Sequence, residues 1–298
     1  MFKSWIYAVR LRTLPLSFSG IILGSLIALS KGNWDSGIFL YACLTTLFLQ
    51  ILANFANDYG DGVKGADNDQ RIGPKRAVQA GYISQTAMKR AVILFSFLSF
   101  ASALILIDRS FGADHPVTTV FFIVLIFACV YAAVKYTVGG NAYGYKGYGD
   151  ISVFSFFGLI SVQGTYFLYT HSLDLGVLLL GVAVGLLSVA VLNLNNMRDI
   201  ESDRESGKYT LVVKIGLKKA KLYHFLLILL PFVSGSVFVF MNYKKFYQWS
   251  FLILLIPMLT HLKNVVAVTD CKNFDPELKK VALVTLAYSF FIGLGKLA

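Results

Sequence analysis

The stretch IFLYACLTTLFLQILA (residues 38–53) runs directly into NFANDYGDGVKGADNDQRIGPKR (residues 54–76), so an uncharged apolar run ends in asparagines, aspartates and basic residues. A run of this length and composition is typical of a membrane-spanning helix. Burying an unpaired carboxylate in such surroundings costs several kcal/mol. Asp58 and Asp61 therefore need a cation, a partner or water at the end of the helix.

The rest of the chain is equally apolar. Its 298 residues are 56% hydrophobic and only 14% charged, whereas soluble domains have about a quarter charged residues, and its mean hydropathy is +0.66. These values predict an all-α, polytopic membrane protein with nine transmembrane helices in one bundle, forming a single domain over residues 1–298. The predicted spans lie near 14–31, 38–57, 90–107, 117–136, 150–171, 175–195, 222–241, 250–268 and 281–297.

The net charge of +11 would suit a nucleic-acid-binding protein, but its distribution favours a membrane topology. If the N-terminus is cytoplasmic, 22 of the 27 lysines and arginines fall on the cytoplasmic side and 5 on the other. Positive residues accumulate on the cytoplasmic side of membrane proteins. We therefore expect a multi-pass protein of the cytoplasmic (inner) membrane, with its C-terminus on the opposite side and no nucleic-acid partner.

A second acidic stretch, LNLNNMRDIESDRESGKYTL (residues 192–211), follows the sixth predicted span. A continuing helix places Asp199 and Asp203, four residues apart, on one face. An asparagine precedes an aspartate by four residues in both stretches, at Asn57 and at Asn195. This spacing indicates two related halves that each contribute one acidic helix end.

Carboxylates and amide oxygens at one membrane face need counter-charge, and Mg²⁺ prefers such oxygen ligands and bridges them to phosphate. Basic residues that suit an anion follow each acidic group. The simpler alternative is a solvated loop surface, but two such clusters with repeated spacing favour a diphosphate site.

The motifs NxxxD at 57–61 and DxxxD at 199–203 resemble those of the UbiA-type membrane prenyltransferases. Three longer blocks, at 54–81, 136–167 and 192–211, are similar to the branch of that family that acts in menaquinone biosynthesis. The resemblance implies transfer of a polyprenyl group from a polyprenyl diphosphate to 1,4-dihydroxy-2-naphthoate, with loss of CO₂ and diphosphate. It also implies nine helices around a central cavity that opens near the cytoplasmic face, Mg²⁺ as cofactor and no obligate protein partner.

The resemblance also suggests site residues. Candidate metal ligands are Asn57, Asp58, Asp61, Asp199 and Asp203, and the four aspartates are also the candidate catalytic residues. Candidate substrate-binding residues are Arg12, Asn54, Asn57, Arg71, Arg76, Tyr131, Lys135, Tyr145, Lys146, Asn195 and Lys208. For Tyr131 and Lys135, anchoring at the membrane interface is an equally good interpretation.

The sequence departs from the wider family, whose motifs often carry a third acid where this chain has Gly65 and Gly207. Asp67 is the candidate replacement for the first missing acid, and the sequence offers no replacement for the second. The ligand count of a second magnesium site, and so the number of magnesium ions, stays open. The histidines at 115, 171, 224 and 261 show no ligand spacing and are expected at the membrane interface.

Two alternatives remain. The aspartate motifs alone fit another aromatic acceptor, such as 4-hydroxybenzoate or homogentisate. An ion-coupled transporter would place ionisable groups near the middle of the membrane, whereas the acids here gather at span ends.

Overall fold

The computed structural model describes residues 2–65, 73 and 76–297. This part of the chain contains nine helices long and apolar enough to cross a membrane, which confirms the predicted number. We label them in chain order: α1 (Phe2–Ser30), α2 (Ser36–Lys64), α3 (Gln85–Phe111), α4 (Pro116–Lys135), α5 (Gly149–Thr170), α6 (Leu175–Arg198), α7 (Leu217–Met241), α8 (Phe246–Ala267) and α9 (Cys271–Leu297).

Side-chain and glycine caps define the ends of the helices. Asp35 and Asp174 accept hydrogen bonds from backbone N–H groups in the first turns of α2 and α6, at 2.9 and 3.0 Å. Gly65, with φ 67, ends α2 in the left-handed conformation that favours glycine. Helix α2 therefore continues beyond its predicted end at residue 57 and carries both aspartates of the first motif.

Four of the described spans depart from regular α-helix, and α9 is one of them because its first residues, Cys271–Phe274, form a 3₁₀ segment. Helix α1 is broken at Arg10, whose φ is 54, and resumes at Leu14. Helix α8 opens with a 3₁₀ segment, Phe246–Leu254. Helix α5 contains a π-helical segment, Phe154–Gly164, a type of distortion often found at functional sites. Neither hydropathy nor periodicity predicts these departures.

Close packing between the spans depends on small residues. A Cβ added to Gly158 of α5 would lie 2.5 Å from the carbonyl oxygen of Gly181 in α6, so the two backbones touch. By contrast, α4 packs on the outside of the bundle. Its exposed apolar side chains, suited to a lipid environment, are Val117, Val120, Phe121, Val124 and Phe127.

Two of the four histidines correct the sequence prediction. His224 and His261 are fully buried, not interfacial. Their Nε2 atoms lie 2.8 Å apart, and His261 Nδ1 lies 2.5 Å from Glu277 Oε2. These residues belong to α7, α8 and α9, so spacing within one span could not reveal the cluster. His115 and His171 are exposed at span ends.

Candidate active site

A cavity of about 710 Å³ extends between the helices from a polar end to apolar walls. The polar end includes Asn57, Asp58, Asp61, Arg76, Asn195 and Lys208. The walls include Ile107, Phe122, Phe157, Ile160 and Leu168, and the π-helical segment of α5 supplies two of these. Such a cavity suits a ligand with a charged head and a long apolar tail.

The first acidic motif is buried at the end of α2. Asp58 and Asp61 are 1% and 2% exposed, and Arg76 Nη1 lies 2.6 Å from Asp61 Oδ2. The same guanidinium donates to the carbonyl oxygen of Asn57, and the Ala77 N–H donates to Asp58 Oδ2 at 3.2 Å. The chain after the first motif thus returns a basic side chain to the carboxylates.

The second motif extends from the end of α6. The Asp203 N–H donates to the Asp199 carbonyl oxygen at 2.8 Å, so the helical turn continues into Ile200–Glu205. Burial raises the pKa of Asp203, against the opposing effect of Lys208, whose Nζ lies 3.4 Å away. The charges of Asp199 and Asp61 raise this pKa further. Carboxylates of both motifs are therefore close enough to interact.

Tyr145, predicted to bind substrate, joins the two motifs. Its hydroxyl donates to Asp61 Oδ1 at 2.6 Å, and Lys64 Nζ lies 4.0 Å from its ring centroid. From the second motif, Lys208 Nζ lies 5.9 Å from the same centroid, and the Tyr209 N–H donates to the Tyr145 carbonyl oxygen. The loop before α5 therefore holds both acidic segments together.

Arg198 is one of the basic residues around the second motif, but the sequence analysis did not select it as a site residue. Its guanidinium is fully buried and forms two parallel hydrogen bonds to Asp199, at 2.9 and 2.8 Å. It also donates to Asn195 Oδ1 at 2.8 Å and contacts Asp275 at the start of α9. The position of Arg198, next to Asp199 at the end of an apolar span, was the available signal. Nothing in the sequence pointed to Asp275.

The remaining predicted residues fall into three groups. Arg12 and Asn54 line the cavity; Asn54 donates to the Val9 carbonyl oxygen at 2.8 Å. Tyr131, Lys135 and Lys146 are not among the cavity-lining residues. Tyr131 is 65% exposed on the outside of α4, which agrees with the interfacial alternative, and Lys146 contacts Asn141. Arg71 and Asp67 lie outside the described residues.

Tyr136 and Tyr143 also line the cavity, although the sequence analysis did not select them. Their rings pack edge to face with centroids 5.3 Å apart, and burial raises the pKa of each hydroxyl. Both tyrosines therefore keep their protons at neutral pH. The tyrosines between α4 and α5 are conspicuous in the sequence, but their spacing does not indicate which of them line the cavity.

Oxygen atoms of both motifs fit a magnesium ion, although Asp199 and Asp203, unlike Asp58 and Asp61, are not among the cavity-lining residues. Asn57 Oδ1 and Asp203 Oδ2 are buried and accept no hydrogen bond from the described residues, although leaving such an acceptor unsatisfied costs about 1–3 kcal/mol. Both are the hard donors that Mg²⁺ prefers. The described residues hold no preassembled group of three His, Cys, Asp or Glu ligands; arginines already engage Asp61 and Asp199.

These features define a multi-pass helical membrane protein whose cavity joins an acidic and basic end to apolar walls. Residues 17–291 match the UbiA prenyltransferase family, and the chain belongs to that family.

The comparisons agree in sequence and in fold. The chain is 40% identical to a 1,4-dihydroxy-2-naphthoate octaprenyltransferase of Escherichia coli, over 98% of this chain and 94% of the relative. A UbiA homolog from Aeropyrum pernix superimposes with a TM-score of 0.66 at 16% identity, covering 97% of this chain and 96% of the other. A UbiA homolog from Archaeoglobus fulgidus, bound to GPP and Mg²⁺, gives 0.61 at 16% identity, covering 95% and 98%.

Proposed function

We propose that the protein transfers a polyprenyl group from a polyprenyl diphosphate to 1,4-dihydroxy-2-naphthoate, and that the product is demethylmenaquinone for menaquinone biosynthesis. The observation that carries the proposal is the cavity, in which carboxylates and cations gather at one end of apolar and aromatic walls. The polar end suits a magnesium diphosphate and the walls suit an isoprenoid chain. The choice of acceptor rests on the 40% identical relative.

The two acidic motifs would hold the metal. The proposed ligands are Asn57, Asp58, Asp61, Asp199 and Asp203. When bound there, Mg²⁺ neutralises negative charge that develops on the leaving diphosphate.

Basic side chains would bind the phosphate oxygens directly. The proposed contacts are Arg12, Arg71, Arg76 and Lys208. Arg76 pairs with Asp61 at 2.6 Å, and Lys208 pairs with Asp203 at 3.4 Å. When substrate binds, Arg76 and Lys208 would bind the diphosphate instead, and the two carboxylates would bind the metal. Arginine suits a bidentate contact, and lysine acts as a point charge.

The reaction itself breaks the allylic C–O bond, and the electron pair leaves on the diphosphate. The resulting allylic cation is attacked by the ring carbon that carries the carboxylate, which forms the new C–C bond. The carboxylate then leaves as CO₂ and its bonding pair restores the aromatic ring, so the product forms as the quinol of demethylmenaquinone. Water must be excluded meanwhile, which the walls around Phe122 and Phe157 favour.

We further propose that the chain works as one domain over residues 1–298 in the cytoplasmic membrane, with the N-terminus and the acidic motifs on the cytoplasmic side. The excess of basic residues on that side supports this orientation.

An acceptor assay tests the proposed reaction. Purified protein is mixed with Mg²⁺, farnesyl diphosphate and carboxyl-labelled 1,4-dihydroxy-2-naphthoate, and release of labelled CO₂ and of diphosphate is measured. We expect equal amounts of both products, and chelation of the metal should stop their release. Prenylation of 4-hydroxybenzoate or homogentisate in place of the naphthoate would refute the acceptor but keep the reaction class.

Asp61→Asn and Asp199→Asn should each abolish turnover, because each removes a negative charge from the proposed metal site while keeping the side-chain shape. The matched control is Asp114→Asn, which makes the same change in the exposed loop between α3 and α4. All three variants should insert into membranes at normal yield. Near-normal turnover of either motif variant would rule out that residue as a metal ligand.

A further inference from the structure

Asp275 contacts the arginine that pairs with Asp199, and it lies on α9, an element that the reaction described above does not use. It begins the long helical segment Asp275–Leu297 of α9, and its side chain is 42% exposed. It is not one of the cavity-lining residues. Its carboxylate contacts the Arg198 guanidinium and lies 3.7 Å from Arg12 Nη1. A residue outside the cavity thus touches Arg12, which lines the cavity, and Arg198, which pairs with Asp199.

The Arg198 contact is the stronger one. Arg198 is 1% exposed, and a buried guanidinium needs carboxylates to balance its charge. Among the described residues, Asp199 and Asp275 are the carboxylates that contact it. Nε and Nη2 face Asp199, and Nη1 faces Asp275. Asp275 therefore holds Nη1, while Nη2 also donates to Asn195.

The geometry at Asp199 has a consequence for metal binding. Two parallel N–H···O bonds use one lone pair on each carboxylate oxygen, and a carboxylate bound in this way can still coordinate a metal through its other lone pairs. Partners of this kind orient a metal-binding carboxylate and tune its affinity. Arg198 can play this part only if it stays in the plane of the Asp199 carboxylate.

We propose that Asp275 is a positioning residue for the second aspartate motif, acting through Arg198 on Asp199. Its carboxylate holds Nη1, keeps the guanidinium in the plane of Asp199 and balances part of its charge. Without Asp275 the guanidinium leaves the plane of the Asp199 carboxylate and the net charge at the site rises by one, so the site binds a divalent ion more weakly. This inference rests on the proposed function, since it takes Asp199 as a metal ligand.

The test compares Asp275→Asn with Asp270→Asn, the same change in an exposed residue five positions earlier. Binding of Mn²⁺, a paramagnetic substitute for Mg²⁺, is measured by electron paramagnetic resonance in detergent with a non-hydrolysable farnesyl thiodiphosphate present. We expect Asp275→Asn to weaken Mn²⁺ binding about 10-fold, Asp275→Glu to recover part of it and Asp270→Asn to match wild type.

Kinetics separate a route through Arg198 from one through Arg12. At saturating Mg²⁺, the KM for farnesyl diphosphate should stay within twofold of wild type, while the Mg²⁺ concentration for half-maximal rate rises about 10-fold. An increased KM for the diphosphate with unchanged Mn²⁺ binding would place the effect at Arg12 and overturn the inference.

The failures can be told apart. If wild type binds Mn²⁺ and Asp275→Asn binds it equally well, the role of Asp275 is wrong and the proposed function stands. If wild type binds no Mn²⁺ with the thiodiphosphate, the proposed metal site falls, and this inference falls with it. A melting temperature for each variant checks its folding, and Asp275→Glu, which keeps the charge, gives the answer if Asp275→Asn is unstable.

Discussion

Tyr145 links the two acidic motifs through both its hydroxyl and its ring. The hydroxyl donates to Asp61 at 2.6 Å, while Lys64 and Lys208 approach the ring from opposite motifs. A hydrogen bond to a charged group contributes about 1.5–3 kcal/mol, so this contact helps to orient Asp61. The loop between α4 and α5 therefore affects the geometry of the proposed metal site.

Tyr145→Phe removes the hydroxyl and keeps the ring. We expect kcat/KM for farnesyl diphosphate to fall about 10-fold, since the loss of roughly 1.4 kcal/mol of orientation corresponds to that factor. Steady-state kinetics at fixed acceptor concentration measure it. Tyr148→Phe, in the same loop but with an exposed side chain, is the control. Equal kinetics for the two variants would show that the Tyr145 hydroxyl does not orient Asp61.

Gly73 provides a second residue-scale test. A Cβ at this position would lie 2.6 Å from Arg198 Nη2, and hydrogen bonds to Asn195 and Asp199 hold that nitrogen in place. Gly73→Ala should displace the guanidinium and lower stability by about 1–3 kcal/mol. The melting temperature of the detergent-solubilised protein measures this loss. Gly140→Ala, where a Cβ meets open space, should leave the melting temperature unchanged. If Gly73→Ala also leaves it unchanged, the added Cβ does not displace Arg198.

At the scale of helices, a buried series of side-chain hydrogen bonds, here called the histidine network, joins α6, α7, α8 and α9. The amide nitrogen of Asn193 can only donate, so His224 Nδ1 accepts from it and His224 Nε2–H donates to His261 Nε2. His261 Nδ1–H then donates to Glu277, which also accepts from Asn264 and Lys280. Both imidazoles can remain neutral, because every bond in the histidine network has a donor and an acceptor.

His261→Leu tests how much the histidine network contributes to stability. The change leaves the buried His224 Nε2–H without an acceptor and removes a donor from Glu277, which should cost about 1–3 kcal/mol of stability. We expect a lower melting temperature than for Thr260→Val, whose exposed hydroxyl bonds only within its own helix. If the two variants have the same melting temperature, the histidine network contributes little to helix association.

The sequence predicted the spans well but not the contacts between them. Hydropathy is a local property, so the number of spans and the meeting of the acidic ends could be inferred from the chain. The pairing of Asn193 with His224, or of Arg198 with Asp275, depends on which helices are neighbours. The outward position of Tyr131 depends on helix rotation, which the span of α4, apolar on all sides, does not determine.

At the scale of the whole molecule, the segments that connect the helices form two groups, and ion pairs and polar contacts link segments within each group. One group contains the acidic motifs together with the start of α1 and the start of α9, joined through Arg12, Arg198 and Asp275. The other group joins the remaining loops through Lys31 with Asp174, Arg109 with Asp35 and Lys296 with Asn242. This division agrees with the alternating topology on which the count of basic residues was based.

The distribution of charge along the sequence predicts the absolute orientation, and this prediction can be tested directly. Of the 27 lysines and arginines, 22 fall in the sequence segments assigned to the same side as the acidic motifs, so we expect that side in the cytoplasm. Alkaline phosphatase, active only outside the cytoplasm, should be active when fused after Asn242 and inactive after Gly207. Green fluorescent protein at the same two positions should give the opposite pattern and serves as the control. The reverse result for both reporters would place the proposed diphosphate site on the outer side, where a cytoplasmic supply of prenyl diphosphate could not reach it.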